Sequence, residues 1–141
     1  MDKTSILGGC RCGKVRFEAS VEKIRTAVCA CIDCQKASGS PLSLSIAVKE
    51  ENFRFTQGED VLKSYPDTGE SGKSVNRFFC TECGSPLIAK PEGYAGMITI
   101  RVLSLDNPPD APPSFAIFTK NIPEWITIPE KAIKAGKKFG G

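Results

Sequence analysis

Gly9-Cys10-Arg11-Cys12-Gly13-Lys14-Val15-Arg16-Phe17-Glu18-Ala19-Ser20-Val21 carries two signals in one stretch. Its first part is a C-x-C element closed by glycine. Its second part alternates, with Val15, Phe17, Ala19 and Val21 on one face and Lys14, Arg16, Glu18 and Ser20 on the other. A period of two is the mark of a strand with one buried face. The pattern recurs outward along the chain. Leu42, Leu44, Ile46 and Val48 repeat it, as do Phe53 with Phe55, and Ile98, Ile100 and Val102. Residues 61–65, 75–79, 115–118 and 125–128 are shorter strand candidates. Gly58, Pro66-Asp67-Thr68-Gly69, Pro91-Glu92-Gly93 and the stretch from Pro108-Pro109 to Pro112-Pro113 read as turns. One turn of helix fits residues 33–37, and no segment shows a long helical stripe. The expectation is a mainly β, antiparallel fold, with residues 1–141 forming a single domain.

Seven cysteines and no histidine set the chemistry. The cysteines fall as Cys10 and Cys12, then Cys29, Cys31 and Cys34, then Cys80 and Cys83. Thiolates two or three residues apart converge readily on one ion, and zinc with tetrahedral sulfur ligands is the first choice. An iron–sulfur cluster is the rarer alternative. A redox C-x-x-C is another, but it leaves both C-x-C elements unexplained. Seven divides into a closed set of four and an open set of three. The simplest partition joins Cys10 and Cys12 to Cys80 and Cys83, leaving Cys29, Cys31 and Cys34. A ribbon of Cys31, Cys34, Cys80 and Cys83 has equally good spacing. Either choice pins distant segments together. Without histidine, Ser-His-Asp triads, Cys-His pairs and imidazole bases drop out.

Composition narrows the class further. Hydrophobic residues make up 40% and charged residues 25%, which excludes disorder over most of the chain. No apolar run approaches the roughly 20 residues of a membrane span. The stretch from Met1 to Gly9 lacks the apolar core of a signal peptide, so a cytoplasmic protein is expected. The formal charge is +3, and seven thiolates with two zinc ions would bring it to zero. That argues against nucleic acid as a partner. Lys131, Lys134, Lys137 and Lys138 form a short basic run that reads as a solvated end. Gly39-Ser40-Pro41-Leu42 and Gly84-Ser85-Pro86-Leu87 form a faint repeat, each copy turning the chain from a cysteine knuckle into a strand.

Three longer motifs carry a resemblance. They are residues 8–18 (GGCRCGKVRFE), residues 29–41 (CACIDCQKASGSP) and residues 77–87 (RFFCTECGSPL). With Leu105-Asp106-Asn107-Pro108 and Trp125, they resemble the glutathione-dependent formaldehyde-activating enzyme family, which shares its domain with the centromere protein V type, over roughly residues 5–127. The resemblance implies an Mss4-like fold of coiled antiparallel sheets stapled by two zinc sites. It also selects a partition, with Cys10, Cys12, Cys80 and Cys83 as the structural site and Cys29, Cys31 and Cys34 as the catalytic one. The implied reaction adds glutathione to formaldehyde, giving S-hydroxymethylglutathione, and classifies the protein as a carbon–sulfur lyase. A site of three thiolates is electron-rich, which favours delivery of a thiolate over activation of water. It is also expected to give up its metal more readily than the four-cysteine site.

The carboxylates of glutathione need cationic or N–H partners. Lys36 and Arg77 lie beside cysteine motifs and Lys120 lies in the C-terminal segment, so these are the candidate substrate-binding cations. Each also fits a solvated surface position. Trp125 with Phe118 could wall a binding site or belong to the core. Asp33 and Glu82 read as turn or surface residues, and nothing marks Tyr65 or Tyr94 as catalytic. Many members of the family have histidine where this chain has Ala30 and Ala116, and neither position is a zinc ligand in the chosen partition. Two other functions fit the cysteine pattern: a non-catalytic zinc module for interactions, and a thiol-based redox or metal-handling protein.

Overall fold

The computed structural model describes residues 3–68 and 72–136. Its strands are β1 (Thr4–Gly9), β2 (Arg16–Val21), β3 (Ala27–Cys29), β4 (Ser43–Lys49), β5 (Phe53–Gln57), β6 (Leu62–Thr68), β7 (Ser74–Cys80), β8 (Pro86–Pro91), β9 (Met97–Arg101), β10 (Phe115–Ile117) and β11 (Ile133–Ala135). The only α-helix among the described residues is α1 (Ile32–Ser38). A three-stranded sheet has the order β1-β2-β5, and an eight-stranded sheet the order β11-β10-β3-β4-β9-β8-β7-β6. No described helix is long and apolar enough to cross a membrane.

The mainly β expectation holds, with one correction to its antiparallel character. β10 pairs parallel with both β3 and β11. Parallel neighbours require long connections, and residues 118–132 supply one between β10 and β11.

The alternating faces decide the core. Phe17, Ala19 and Val21 are buried from the smaller sheet, and Val15 is buried just ahead of β2. Ile46, Val48, Ile88, Ile98 and Ile100 are buried from the larger one. Phe17 and Phe53 pack with ring centroids 5.4 Å apart, and Phe55 meets Phe53 edge-on at 5.0 Å. Each such buried side chain contributes about 1.5–3 kcal/mol. The opposite face of the larger sheet carries small and polar residues. Ser43 lies across from Cys29, Ser45 from Arg101, and Ala89 from both Arg77 and Thr99. That face becomes the floor of the candidate site.

Several local expectations shift. Residues 125–128 form no strand, because Pro123 and Pro129 bracket them and Ile126 N donates into a turn at Pro123 O, 3.0 Å away. Pro66, Asp67 and Thr68 lie inside β6 rather than in a turn, and Gly69 falls outside the described residues. β6 is an edge strand, where proline's missing N–H costs no ladder bond. The repeated Gly-Ser-Pro-Leu segments behave alike. Gly39 and Gly84 both adopt positive φ, and each donates its N–H to the carbonyl four residues back at 2.8 Å. Strands β4 and β8 follow. In the basic run, Lys134 Nζ donates to the carbonyls of Pro129, Glu130 and Ala132, while Lys137 and Lys138 lie outside the described residues.

Gly58 pins the end of β5 against the turn between β1 and β2. It has φ +84, and a Cβ there would lie 2.1 Å from the carbonyl oxygen of Lys14. Gly58→Ala is expected to destabilise the protein by roughly 2–4 kcal/mol, from left-handed strain plus displaced backbone. Chemical denaturation checks this, and a loss below about 1 kcal/mol would contradict the close approach.

Candidate functional site

Two turns bring Cys10, Cys12, Cys80 and Cys83 together. Between β1 and β2, Gly13 N donates to Cys10 O and Cys10 N to Val15 O, both at 3.1 Å. After β7, the Cys80–Gly84 turn carries Cys83. Arg11 N donates to Ser85 Oγ at 3.0 Å, and Lys14 pairs with Glu82 at 2.8 Å, so the two turns hold each other. Cys10 Sγ lies 3.4 Å from Cys12 Sγ, and Cys12 Sγ lies 3.8 Å from Cys80 Sγ. All four sulfurs fall within 4.8 Å of one another. Four thiolates about 2.3 Å from a tetrahedral ion stand about 3.8 Å apart, so this set fits a metal. Val15 N donates to Cys10 Sγ at 3.2 Å, which favours the thiolate form of Cys10, and Glu82 N donates to Cys80 Sγ at 3.4 Å. The Ser85 hydroxyl and amide hold the Cys83 thiol down to about 5.

The remaining three cysteines meet where β3 runs into α1. Cys29 ends β3, Cys31 is the helix N-cap and Cys34 lies in its first turn. Cys34 N donates to Cys31 Sγ at 3.2 Å. The three Sγ atoms lie within 4.8 Å of one another. Hydrogen bonds from Cys29 and Cys31, the Ser43 hydroxyl and the Arg77 charge draw negative charge onto Cys34, whose thiol falls to about 2. The same contacts with Cys31 and Cys34, together with burial, push the Cys29 thiol far up. Three sulfurs this close cannot all ionise unless a cation joins them, so the donor set suits a soft metal ion.

The two clusters differ in what surrounds them. A cavity of about 190 Å³ opens on Cys29, Cys31 and Cys34, and none of the other four cysteines lines it. Its floor is the polar face of the larger sheet, and Tyr94 and Phe118 stand in its wall. Phe118 has φ 54 and ψ 41, the one positive-φ non-glycine residue among those described. A bulky residue held in this region is a strained feature of a kind that clusters at functional sites. A second cavity, of about 410 Å³, includes Lys36, Tyr65 and Phe78 in its walls. Asp33, Arg77 and Arg101 line both cavities.

Of the cations expected to bind substrate, Arg77 therefore lies at the thiol cavity and Lys36 at its neighbour. Lys120 is exposed and lines neither. Trp125 is 77% exposed, so it belongs neither to the core nor to a wall of these cavities, whereas Phe118 does line the thiol cavity. Ala30 and Ala116 are fully buried and line neither cavity. Arg101, Tyr94, Ser43 and the wall role of Asp33 escaped the sequence reading. Alternation holds a signal for Arg101: it follows Met97 and Thr99 on the face opposite Ile98 and Ile100.

Comparison with known proteins agrees with this picture. The model of the family described as glutathione-dependent formaldehyde-activating enzyme matches residues 5–121. A Colletotrichum graminicola protein, named as a candidate glutathione-dependent formaldehyde-activating enzyme, is 28% identical over 114 residues. That match covers 79% of this chain and 58% of the relative, so the chain spans little more than half the relative's length. The crystal structure of a Rhodobacter sphaeroides protein superposes with a TM-score of 0.61 at 18% identity, covering 74% of this chain and 91% of that one. This likeness shows a shared fold.

Proposed function

The chain belongs to the family of glutathione-dependent formaldehyde-activating enzymes, and on that premise we propose that it is a zinc-dependent carbon–sulfur lyase. It adds the thiol of glutathione, or of a related compound, to formaldehyde or another small aldehyde. A sulfur–carbon bond forms, the carbonyl π bond opens, and the proton leaving sulfur is balanced by one taken up on oxygen. The product from formaldehyde is S-hydroxymethylglutathione. No oxidant or reductant is consumed.

One observation carries the reading: Cys29, Cys31 and Cys34 line the 190 Å³ cavity, and none of Cys10, Cys12, Cys80 and Cys83 does. In this assignment Cys10, Cys12, Cys80 and Cys83 would hold a structural zinc, and Cys29, Cys31 and Cys34 would hold a second one beside the cavity. A zinc ion in such a set supplies the positive charge that lets an entering thiol lose its proton at neutral pH. The rest is the work of the chain. α1 and β3 fix the three sulfurs. Arg77, paired with Asp67 at 3.1 Å, offsets negative charge at Cys34. Ile117 and Phe118 present an apolar wall, while Ser43, Ser45 and Thr99 line the polar floor.

Metal analysis of gently purified protein is expected to find about one to two equivalents of zinc, with the three-thiol site losing metal first. Glutathione should then bind with release of a proton, read by calorimetry in buffers of different ionisation enthalpy. Formaldehyde should exchange with glutathione faster than in buffer alone. Iron with sulfide and a visible charge-transfer band would overturn the zinc assignment. Absence of both proton release and rate acceleration would overturn the lyase assignment.

A further inference from the structure

The Arg101 guanidinium enters no ion pair and no hydrogen bond with a described residue. It is half-buried on the polar face of the larger sheet and lies where the two cavities meet. Burial, with Arg77 close by, disfavours its charge, while the nearby thiols favour it. Its neighbour Arg77 already serves Asp67 and Cys34. On the same shared wall, Asp33 Oδ2 is buried and has no hydrogen-bond partner. A buried acceptor left unpaired is costly, and so is a guanidinium drawn out of water without a hydrogen-bonded anion. The walls of the two cavities carry Lys36, Lys73, Arg77 and Arg101 against Asp33 and Asp67.

We infer that Arg101 and Asp33 together form the subsite that reads an amino-acid head group of the thiol substrate, Arg101 taking its carboxylate and Asp33 its ammonium or amide N–H. The identity of that ligand rests on the thiol-addition reading; the unpartnered charges do not. The placement suits a ligand that is extended and zwitterionic. Its sulfur reaches Cys29, Cys31 and Cys34, its head group sits at the junction, and its remainder lies in the larger cavity. Arg101 and Asp33 are then specificity-determining residues, which separate a peptide thiol from a simple alkyl thiol of equal reactivity.

S-Methylglutathione tests this without involving sulfur chemistry, because its thiol is blocked. Titrated calorimetrically into the zinc-loaded protein, it is expected to bind saturably and more weakly as salt is raised. Its dimethyl ester should bind at least about ten-fold more weakly, as should the free acid to Arg101→Gln. Arg101→Gln should also lose the distinction between acid and ester, and Arg101→Lys should keep part of it. Asp33→Asn should weaken the acid and its ester alike. Equal affinity of acid and ester for the parent protein overturns the assignment, as does parent-like discrimination in Arg101→Gln. So does failure of S-methylglutathione to bind. Should Arg101→Gln not fold, the ester comparison and Arg101→Lys decide the matter. If S-methylglutathione binds through Arg101 while glutathione releases no proton and formaldehyde exchange is not accelerated, the lyase reading fails and the subsite stands.

Discussion

Cys80→Ser is expected to leave the protein unfolded at room temperature, not merely inactive. Cys80 is fully buried at the end of β7 and belongs to the main hydrophobic cluster. Its sulfur lies 3.8 Å from that of Cys12, so it joins the turn between β1 and β2 to the end of the larger sheet. Zinc bound by such a set contributes about 10–16 kcal/mol in small zinc-folded peptides. Whole domains are stable by only about 5–15 kcal/mol. A serine hydroxyl is a poor replacement for a thiolate, and it would be buried beside apolar neighbours. Loss of this one ligand therefore removes more stability than the fold holds in reserve. Circular dichroism and a thermal melt with and without zinc read the effect. A Cys80→Ser protein that melts like the parent would show that the four-thiol cluster is not what staples the sheets.

The parts legible in the sequence were those whose signal is local. A C-x-C or C-x-x-C element needs only a turn to aim two sulfurs at one point, and both clusters form as their spacing allows. The core was equally local, since alternation placed Phe17, Ala19, Val21, Ile98 and Ile100 on buried faces. Alternation also misled. It assigns the outward face of β4 and β9 to solvent, yet Ser45, Thr99 and Arg101 line a cavity. What encloses them is α1, the Gly93-Tyr94 turn and the start of β7, which reach this face only through tertiary packing. Nothing in a period of two reports that covering. The candidates chosen for lying near a motif fared according to geometry. Arg77 lies across the strand pair from Ala89 and lines the cavity, whereas Lys120 and Trp125 are exposed and line neither cavity. The parallel pairing of β10 was also out of reach, because β3 and β10 are joined by most of the chain.

Cys31→Ser is expected to abolish acceleration of glutathione–formaldehyde exchange while the fold survives. The prediction turns on the two jobs of Cys31. As N-cap of α1, its sulfur accepts the N–H of Cys34 at 3.2 Å. Serine is among the best N-cap residues, so its hydroxyl can take over that bond at a cost of about 1 kcal/mol or less. A change of that size moves the melting temperature by only a few degrees, roughly 2–6 °C for a chain of this length. As one of three sulfurs facing the cavity, Cys31 has no substitute. A neutral hydroxyl does not match a thiolate as a soft-metal ligand, and Cys29 and Cys34 alone leave the set one donor short. Zinc content should fall toward a single equivalent and the exchange rate toward that of buffer. The melt should stay close to the parent's, in contrast with Cys80→Ser. If the substitution instead collapses the fold while Cys80→Ser does not, the two clusters have been given each other's roles. If Cys31→Ser keeps its exchange rate after losing zinc, the thiol cavity is not where sulfur meets the aldehyde.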